Sequence, residues 1–214
     1  MFNKYKKIGI LKYFSSNYFS LVSALKKISV EYQLSSNFKD LINNDKIIIP
    51  GVGNMRYFFN STTQDQLTVD INSYIMNSGK LLGICLGMQA FLENSEESKS
   101  KTLGVIKGKT LSLQKDFNLG MNVGFKKLLI EKESEIMNKL LNGIDKDERF
   151  YFLHKYHCLI EDQNVLKVYS KFENKKIVSL IQKKNIIGTQ FHPELSGKSG
   201  LKFLKNFSNL QTFK

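Results

Sequence analysis

The chain has no tryptophan, and its 214 residues include only two prolines, two cysteines and three histidines. Two cysteines cannot build the disulfide framework of a small secreted domain, and they suit a reduced compartment in which a thiol stays available for chemistry. No apolar run approaches the ~18 residues that a membrane-spanning helix needs. The start, Met1-Phe2-Asn3-Lys4-Tyr5-Lys6-Lys7, leads into no signal-peptide core. The expectation is a soluble, cytoplasmic protein without a membrane partner. Acid is also scarce, with 19 Asp and Glu against 32 Lys and Arg, a net charge of +13. That excess is dispersed as lysine pairs at 6–7, 26–27, 126–127, 175–176 and 183–184. No groove-reading motif or aromatic-basic platform accompanies it, so nucleic acid is not expected as a partner. The length and an apolar fraction of 42% fit one hydrophobic core and a single domain over 1–214.

Strand and helix patterns alternate from the start. Residues 6–13 read as a strand, and Ser15, Ser16 and Asn17 offer cap oxygens to a helix whose apolar side is Leu21, Val22, Leu25 and Ile28. A second strand is predicted over 30–34, a short helix over 38–42 and a third, apolar strand over 46–49. Helical spacing over 67–76 puts Val69, Ile71, Tyr74 and Ile75 on the buried side, with Gly79 as the stop. This order implies a mostly parallel sheet with helices on both faces, an α/β fold. The polar stretch 94–101 reads as a loop, and 103–130 as antiparallel strands added beside the parallel sheet. A helix capped by Ser134, a strand over 149–153, a hairpin with arms 177–181 and 186–191, and a closing helix carrying Leu201, Leu204, Phe207 and Leu210 complete the chain.

Both prolines fall where strands end, in Pro50-Gly51-Val52-Gly53 and His192-Pro193-Glu194. Between them lies Gly83-Ile84-Cys85-Leu86-Gly87, the thiol form of a nucleophile elbow. There the nucleophile sits on a sharp strand-to-helix turn, its neighbours must be small, and the helix N–H groups favour negative charge on the sulfur. A free cysteine more often fills core space, the better account of Cys158. Cys85 is set apart by its two glycines. It needs a base, and His192 alone has a carboxylate two residues on, a spacing that lets Glu194 orient the imidazole. His154 is the rival base and lacks a carboxylate close in sequence. The glycine loop 51–53 and the N–H of Leu86 would bind an oxyanion, and the set describes acyl transfer through a thioester.

Together with Tyr13, Asn17, residues 82–89, Ser95-Glu96-Glu97, Leu103-Gly104, Phe150-Tyr151-Phe152, His154, Tyr156 and residues 190–194, the chain resembles the class I, or triad, glutamine amidotransferases over nearly its whole length. Within them it is most similar to the glutaminase subunits of imidazole glycerol phosphate synthase. The resemblance implies a flavodoxin-like class I amidotransferase sheet. It implies that Cys85 attacks the side-chain amide of L-glutamine, that His192 protonates the ammonia and activates water, and that Glu194 orients His192. Gly51, Val52, Gly53, Leu86, Gln89, His154, Lys155 and Tyr156 would hold the substrate. Ammonia would pass to a (β/α)₈-barrel synthase subunit in a heterodimer serving histidine biosynthesis. No metal or organic cofactor is implied. Lys12-Tyr13-Phe14-Ser15-Ser16-Asn17 stands where the family usually reads Asp-Tyr-Gly-x-Gly-Asn, and Leu195 where a lysine is common. The alternatives are relatives that feed ammonia to sugar-modifying enzymes of surface polysaccharide synthesis, and a stand-alone thiol hydrolase.

Overall fold

The structure is a computed structural model that describes residues 7–13, 18–58, 64–98 and 100–211. The first unit is β1 (Ile8–Leu11), α1 (Phe19–Lys27), β2 (Tyr32–Ser35), a 3₁₀ turn over Phe38–Asp40 and β3 (Lys46–Ile49). The cap oxygens expected at Ser15, Ser16 and Asn17 lie outside the described residues. Next come α2 (Met55–Phe58), α3 (Gln64–Met76), β4 (Lys80–Ile84) and α4 (Leu86–Gln89). A stretch of short elements follows: β5 (Asn94–Ser95), β6 (Ser100–Lys101), β7 (Gly108–Ser112), α5 (Leu113–Phe117), β8 (Asn122–Lys127) and α6 (Glu135–Leu141). The chain closes with β9 (Arg149–His154), β10 (Tyr156–Ile160), β11 (Leu166–Phe172), β12 (Lys175–Lys183), β13 (Ile186–Thr189), a 3₁₀ turn over Pro193–Leu195 and α7 (Gly197–Asn209).

Seven strands make one sheet in the order β11-β12-β13-β4-β3-β1-β2, in which β2, β1, β3, β4 and β13 run parallel. Alternate side chains of β3 enter opposite cores, Ile47 and Ile49 on one face and Ile48 on the other. Both faces are covered, which is why this strand reads as an unbroken apolar run. On one side α1 and α7 contribute Leu21, Leu25, Phe203 and Phe207; on the other α3 contributes Ile71 and Tyr74. The expected α/β fold, mostly parallel with helices on both faces, is present.

Several local expectations change. The antiparallel strands of the main sheet are β11 and β12, not segments of 103–130. Within that region β7 joins β10, β5 and β6 in a four-stranded sheet, and β8 pairs with β9 in a separate ribbon. The stretch 94–101 was expected to be a loop, yet it carries the paired strands β5 and β6, too short to show a period. His154 ends β9 and Tyr156 begins β10, around the single residue Lys155. Val69 faces solvent at 61% exposure, while Ile71 and Tyr74 are buried. The left-handed residue that ends α3 is Ser78, with φ 65°, and Gly79 is required for a different reason: a Cβ there would lie 2.4 Å from the Tyr74 ring. Ser134 does cap α6, its Oγ accepting the Met137 N–H at 3.0 Å.

The site depends on how tightly α4 lies on the end of β3. A Cβ on Gly87 would stand 2.3 Å from the Ile49 carbonyl oxygen, a backbone atom that cannot yield without moving the strand. Gly87→Ala is expected to cost roughly 3 kcal/mol, the upper end for overpacking, measured by urea unfolding.

Candidate active site

The glycine loop, Cys85 and His192 follow β3, β4 and β13, at the carboxyl ends of the parallel strands, where open α/β sheets place their ligands. Cys85 follows β4, with φ 47° and ψ −103°, a strained conformation for a non-glycine residue. Its N–H donates to the Thr189 carbonyl at the end of the adjacent β13, tying the elbow to the strand that leads to His192. His192 is 1% exposed, and its Nδ1 lies 2.8 Å from Glu194 Oε1. Its backbone is fixed as well: its N–H donates to the Tyr151 carbonyl at 2.8 Å, and its carbonyl accepts from Ser196 Oγ at 2.6 Å.

Burial alone would lower the pKa of His192. The charge of Cys85 and a hydrogen bond with it, reinforced by Glu194, outweigh that penalty and hold the imidazole well above its ordinary value. A protonated ring beside the sulfur is the partner of a thiolate, the reactive form of cysteine.

His154 is the opposite case. Its Nδ1 lies 2.7 Å from the Tyr156 carbonyl, which can only accept, so Nδ1 carries the hydrogen. Its Nε2 then accepts from Asn122 Nδ2 at 2.8 Å. Both nitrogens are occupied and no carboxylate is among these partners. Burial drives the pKa of this ring down to about 3, against the favourable Tyr156 bond. His154 is a neutral wall of the site, whereas His192 is the histidine held between Cys85 and Glu194.

Gly51, Val52, Gly53, Cys85, Leu86, Gln89, His154, Lys155, Tyr156 and His192 line one pocket of about 300 Å³, with Glu194 behind His192. The pocket also takes in Glu97, Met121 and Leu153. Of these, Glu97 has the clearest chemistry. Its Oε2 accepts the Met55 N–H at 3.0 Å, and burial raises its pKa despite that bond and the nearby Arg56. The motif Ser95-Glu96-Glu97 pointed to the segment without telling which carboxylate faces the pocket; Glu96 turns instead to the Ser112 N–H.

One expected geometry is not formed. The Leu86 N–H, expected as an oxyanion donor, is directed at the Gly51 carbonyl oxygen at 3.4 Å. In a trans peptide the carbonyl of Gly51 and the N–H of Val52 point in opposite directions, so this unit shows its oxygen to the elbow and turns its donor away. The flanking carbonyls are held by Tyr13, whose hydroxyl lies 2.8 Å from Pro50 O and 3.5 Å from Val52 O. Gly51 admits no side chain, since a Cβ would fall 2.0 Å from the Ile84 oxygen.

A family model described as "Glutamine amidotransferase class-I" matches residues 10–209. The chain is 33% identical to an imidazole glycerol phosphate synthase subunit HisH of Prochlorococcus marinus, covering 94% of this chain and 92% of that protein. It is 38% identical to the subunit of the same name from Pyrococcus furiosus, covering 86% and 91%. Among solved structures, "Structure of PurLQS from Thermotoga maritima" superposes with a TM-score of 0.69 at 18% identity, covering 95% of this chain and 97% of that one. At that identity the likeness concerns the fold.

The state of His154 has a measurable consequence. Its folded pKa of about 3 lies far below the ~6.5 of an unfolded chain, so between those values only the unfolded state takes up the proton. Its contribution is intact above pH ~6.5 and is lost toward pH 3, at up to about 1.4 kcal/mol per pH unit. Urea unfolding across this window should show a shallower acid loss for His154→Gln than for the wild type.

Proposed function

The chain belongs to the class I glutamine amidotransferases, and from that membership we propose that it is the glutaminase subunit of an imidazole glycerol phosphate synthase, releasing ammonia from L-glutamine for a (β/α)₈-barrel partner. The observation that carries this reading is the line from Cys85 through His192 to Glu194 at the mouth of a pocket sized for an amino acid. The full-length similarity to subunits named for that synthase favours its acceptor over a surface sugar.

In this reading the Cys85 thiolate attacks the side-chain amide carbon of glutamine and forms a tetrahedral oxyanion. As the carbon–nitrogen bond breaks, His192 passes its proton to the departing ammonia and a glutamyl thioester remains. His192 then takes a proton from water, the hydroxide displaces the sulfur, and glutamate leaves with the thiolate restored. Glu194 keeps Nδ1 protonated so that the other nitrogen faces the reaction. The α-ammonium of the substrate is matched by Glu97 and its carboxylate by Lys155, pocket residues of opposite sign that stand apart from the Cys85–His192 pair.

The Gly51–Val52 peptide makes the chain latent alone. Rotating it would turn the Val52 N–H into the site and free that of Leu86, giving the oxyanion two donors. One such donor is worth on the order of 3 kcal/mol. If the rotated form is populated at ~1%, a partner must favour it by roughly 5 kcal/mol to make it dominant. The docking face is the exposed side of the β8–β9 ribbon, where Val123 pairs with Leu153 and Phe125 with Tyr151. With Met121 it presents an apolar surface at the pocket mouth, where Met121 and Leu153 are also pocket residues. A partner seated there covers both the patch and the exit.

Four outcomes are expected. Incubation with a glutamine-analogue alkylator should mark Cys85 by mass spectrometry, and marking of Cys158 alone would overturn the nucleophile. Glutaminase turnover should rise at least a hundredfold when the co-encoded synthase and its acceptor nucleotide are added. His192→Ala should abolish this activated turnover while His154→Gln retains a measurable part. Turnover by the isolated chain that no synthase changes would favour the stand-alone hydrolase. Phe125→Asp should weaken association with the synthase in sedimentation or calorimetry without altering Cys85 labelling.

A further inference from the structure

Gln190 lies between β13 and His192 and is fully buried, its backbone N–H donating to the Ser179 carbonyl at 2.8 Å. Its side chain reaches Cys85, with Nε2 3.4 Å from Sγ. Its Oε1 accepts from Gln89 Nε2 at 3.2 Å and lies 4.0 Å from the sulfur of Cys158. An amide has a donor end and an acceptor end, so which end meets the sulfur decides whether the contact stabilises a thiolate or repels it.

The orientation is fixed from a distance. The Tyr156 backbone carbonyl has no hydrogen to give, so Gln89 must turn Nε2 toward it, at 3.1 Å. The second hydrogen of that nitrogen is then directed at Gln190, which must answer with its oxygen. The Cys158 thiol acts in the same sense: burial, and next the charge of Cys85, push its pKa up, so it keeps its hydrogen and faces Gln190 Oε1 as a donor. With the oxygen held on that side, Nε2 is left facing Cys85. A reversed Gln190 would set donor against donor at Gln89 and oxygen against anion at Cys85.

We propose that Gln190 is a positioning residue for the nucleophile: its amide N–H holds the Cys85 sulfur in the anionic form, and its direction is set by the Tyr156 carbonyl through Gln89. This rests on Cys85 being the nucleophile, as in the function proposed above. The competing contact is Cys85 Sγ to the Leu153 carbonyl at 3.9 Å, which is useful only to a protonated sulfur. Gln190 and His192 favour one state of the sulfur, and Leu153 the other. The role assigned to Gln89 also changes. Both hydrogens of its amide are directed within the protein, so Oε1 is the atom it retains for a substrate donor.

The test is the pH dependence of Cys85 alkylation by iodoacetamide in the full chain without partner, with the site of labelling read by mass spectrometry. Among the described residues, His192, Tyr13 and Cys158 sense the charge of Cys85, Glu194 stands behind His192, and Glu97, His154, Lys155 and Tyr156 line the same pocket; the variants leave all of these untouched. The midpoint belongs to the Cys85–His192 pair as a unit. Gln190→Met keeps the volume and removes the donor, so the midpoint is expected to rise by about one pH unit, with labelling below it roughly tenfold slower. The limiting rate at high pH should stay the same, because a loss of access or of fold would change that rate instead. Gln89→Met releases the orientation and should move the midpoint the same way by less, and the double variant no further than Gln190→Met alone. A folded Gln190→Met chain with the wild-type midpoint overturns the proposal. Should that variant fail to fold, an unchanged midpoint in Gln89→Met overturns it. A wild-type chain labelled only at Cys158 removes the nucleophile itself and with it the proposed function, an outcome distinct from an unmoved midpoint.

Discussion

Three backbone segments cross at Cys85 with no room for a methyl group between them. A Cβ on Gly83 would stand 2.6 Å from the carbonyl of Gly87, one on Gly87 2.3 Å from Ile49 O, and one on Gly51 2.0 Å from Ile84 O. The strand, the helix behind Cys85 and the glycine loop are therefore locked as one unit, and φ 47° at Cys85 is held by contacts that surround it. The seven-stranded sheet supplies the frame. Because β3, β4 and β13 are neighbours, the loop, the sulfur and the imidazole all emerge from adjacent strand ends.

Within that frame, direction is set by a single acceptor. The Tyr156 carbonyl takes a hydrogen from His154 Nδ1 and another from Gln89 Nε2. It thereby makes His154 a neutral acceptor toward Asn122 and gives the glutamine pair its polarity. Buried polar groups are costly when unmatched, so one backbone oxygen can fix several side chains in series. A mismatch remains at the carboxylate behind His192, where Glu194 Oε2 is buried without a hydrogen-bond partner among the described residues.

Much of this was legible in the residues. The order β1, α1, β2, β3, α3 and β4, the sharp turn at Cys85, the His192–Glu194 contact and the Ser134 cap depend on local pattern and local chemistry, and the structure places them as read. Other features are properties of the assembled chain. Val69 continues the apolar stripe of α3, but it lies on the solvent side of the helix. The two-residue strands β5 and β6 cannot display a period, and β11, alternating through lysine and serine, resembles a polar connector until β12 pairs with it. Glu97, Gln190 and Tyr13 lay inside recognised motifs, yet their roles depend on which atom faces the pocket or the sulfur. The direction of the Gly51–Val52 peptide leaves no trace in residue type.

The apolar side of the β8–β9 ribbon also bears on how the chain behaves in solution. Val123, Phe125 and Leu153 stand between 38% and 53% exposed on one face of the ribbon, and Met121 shares the adjoining pocket with Leu153. Such a patch favours contact between like copies, and a net charge of +13 opposes it by mutual repulsion. The two forces respond oppositely to salt. At 1 M the screening length falls to about 3 Å, the repulsion between copies fades, and salting-out anions such as sulfate strengthen the apolar attraction. The colloidal stability of the isolated chain is therefore expected to follow the buffer, with dispersion favoured at low ionic strength and self-association at high.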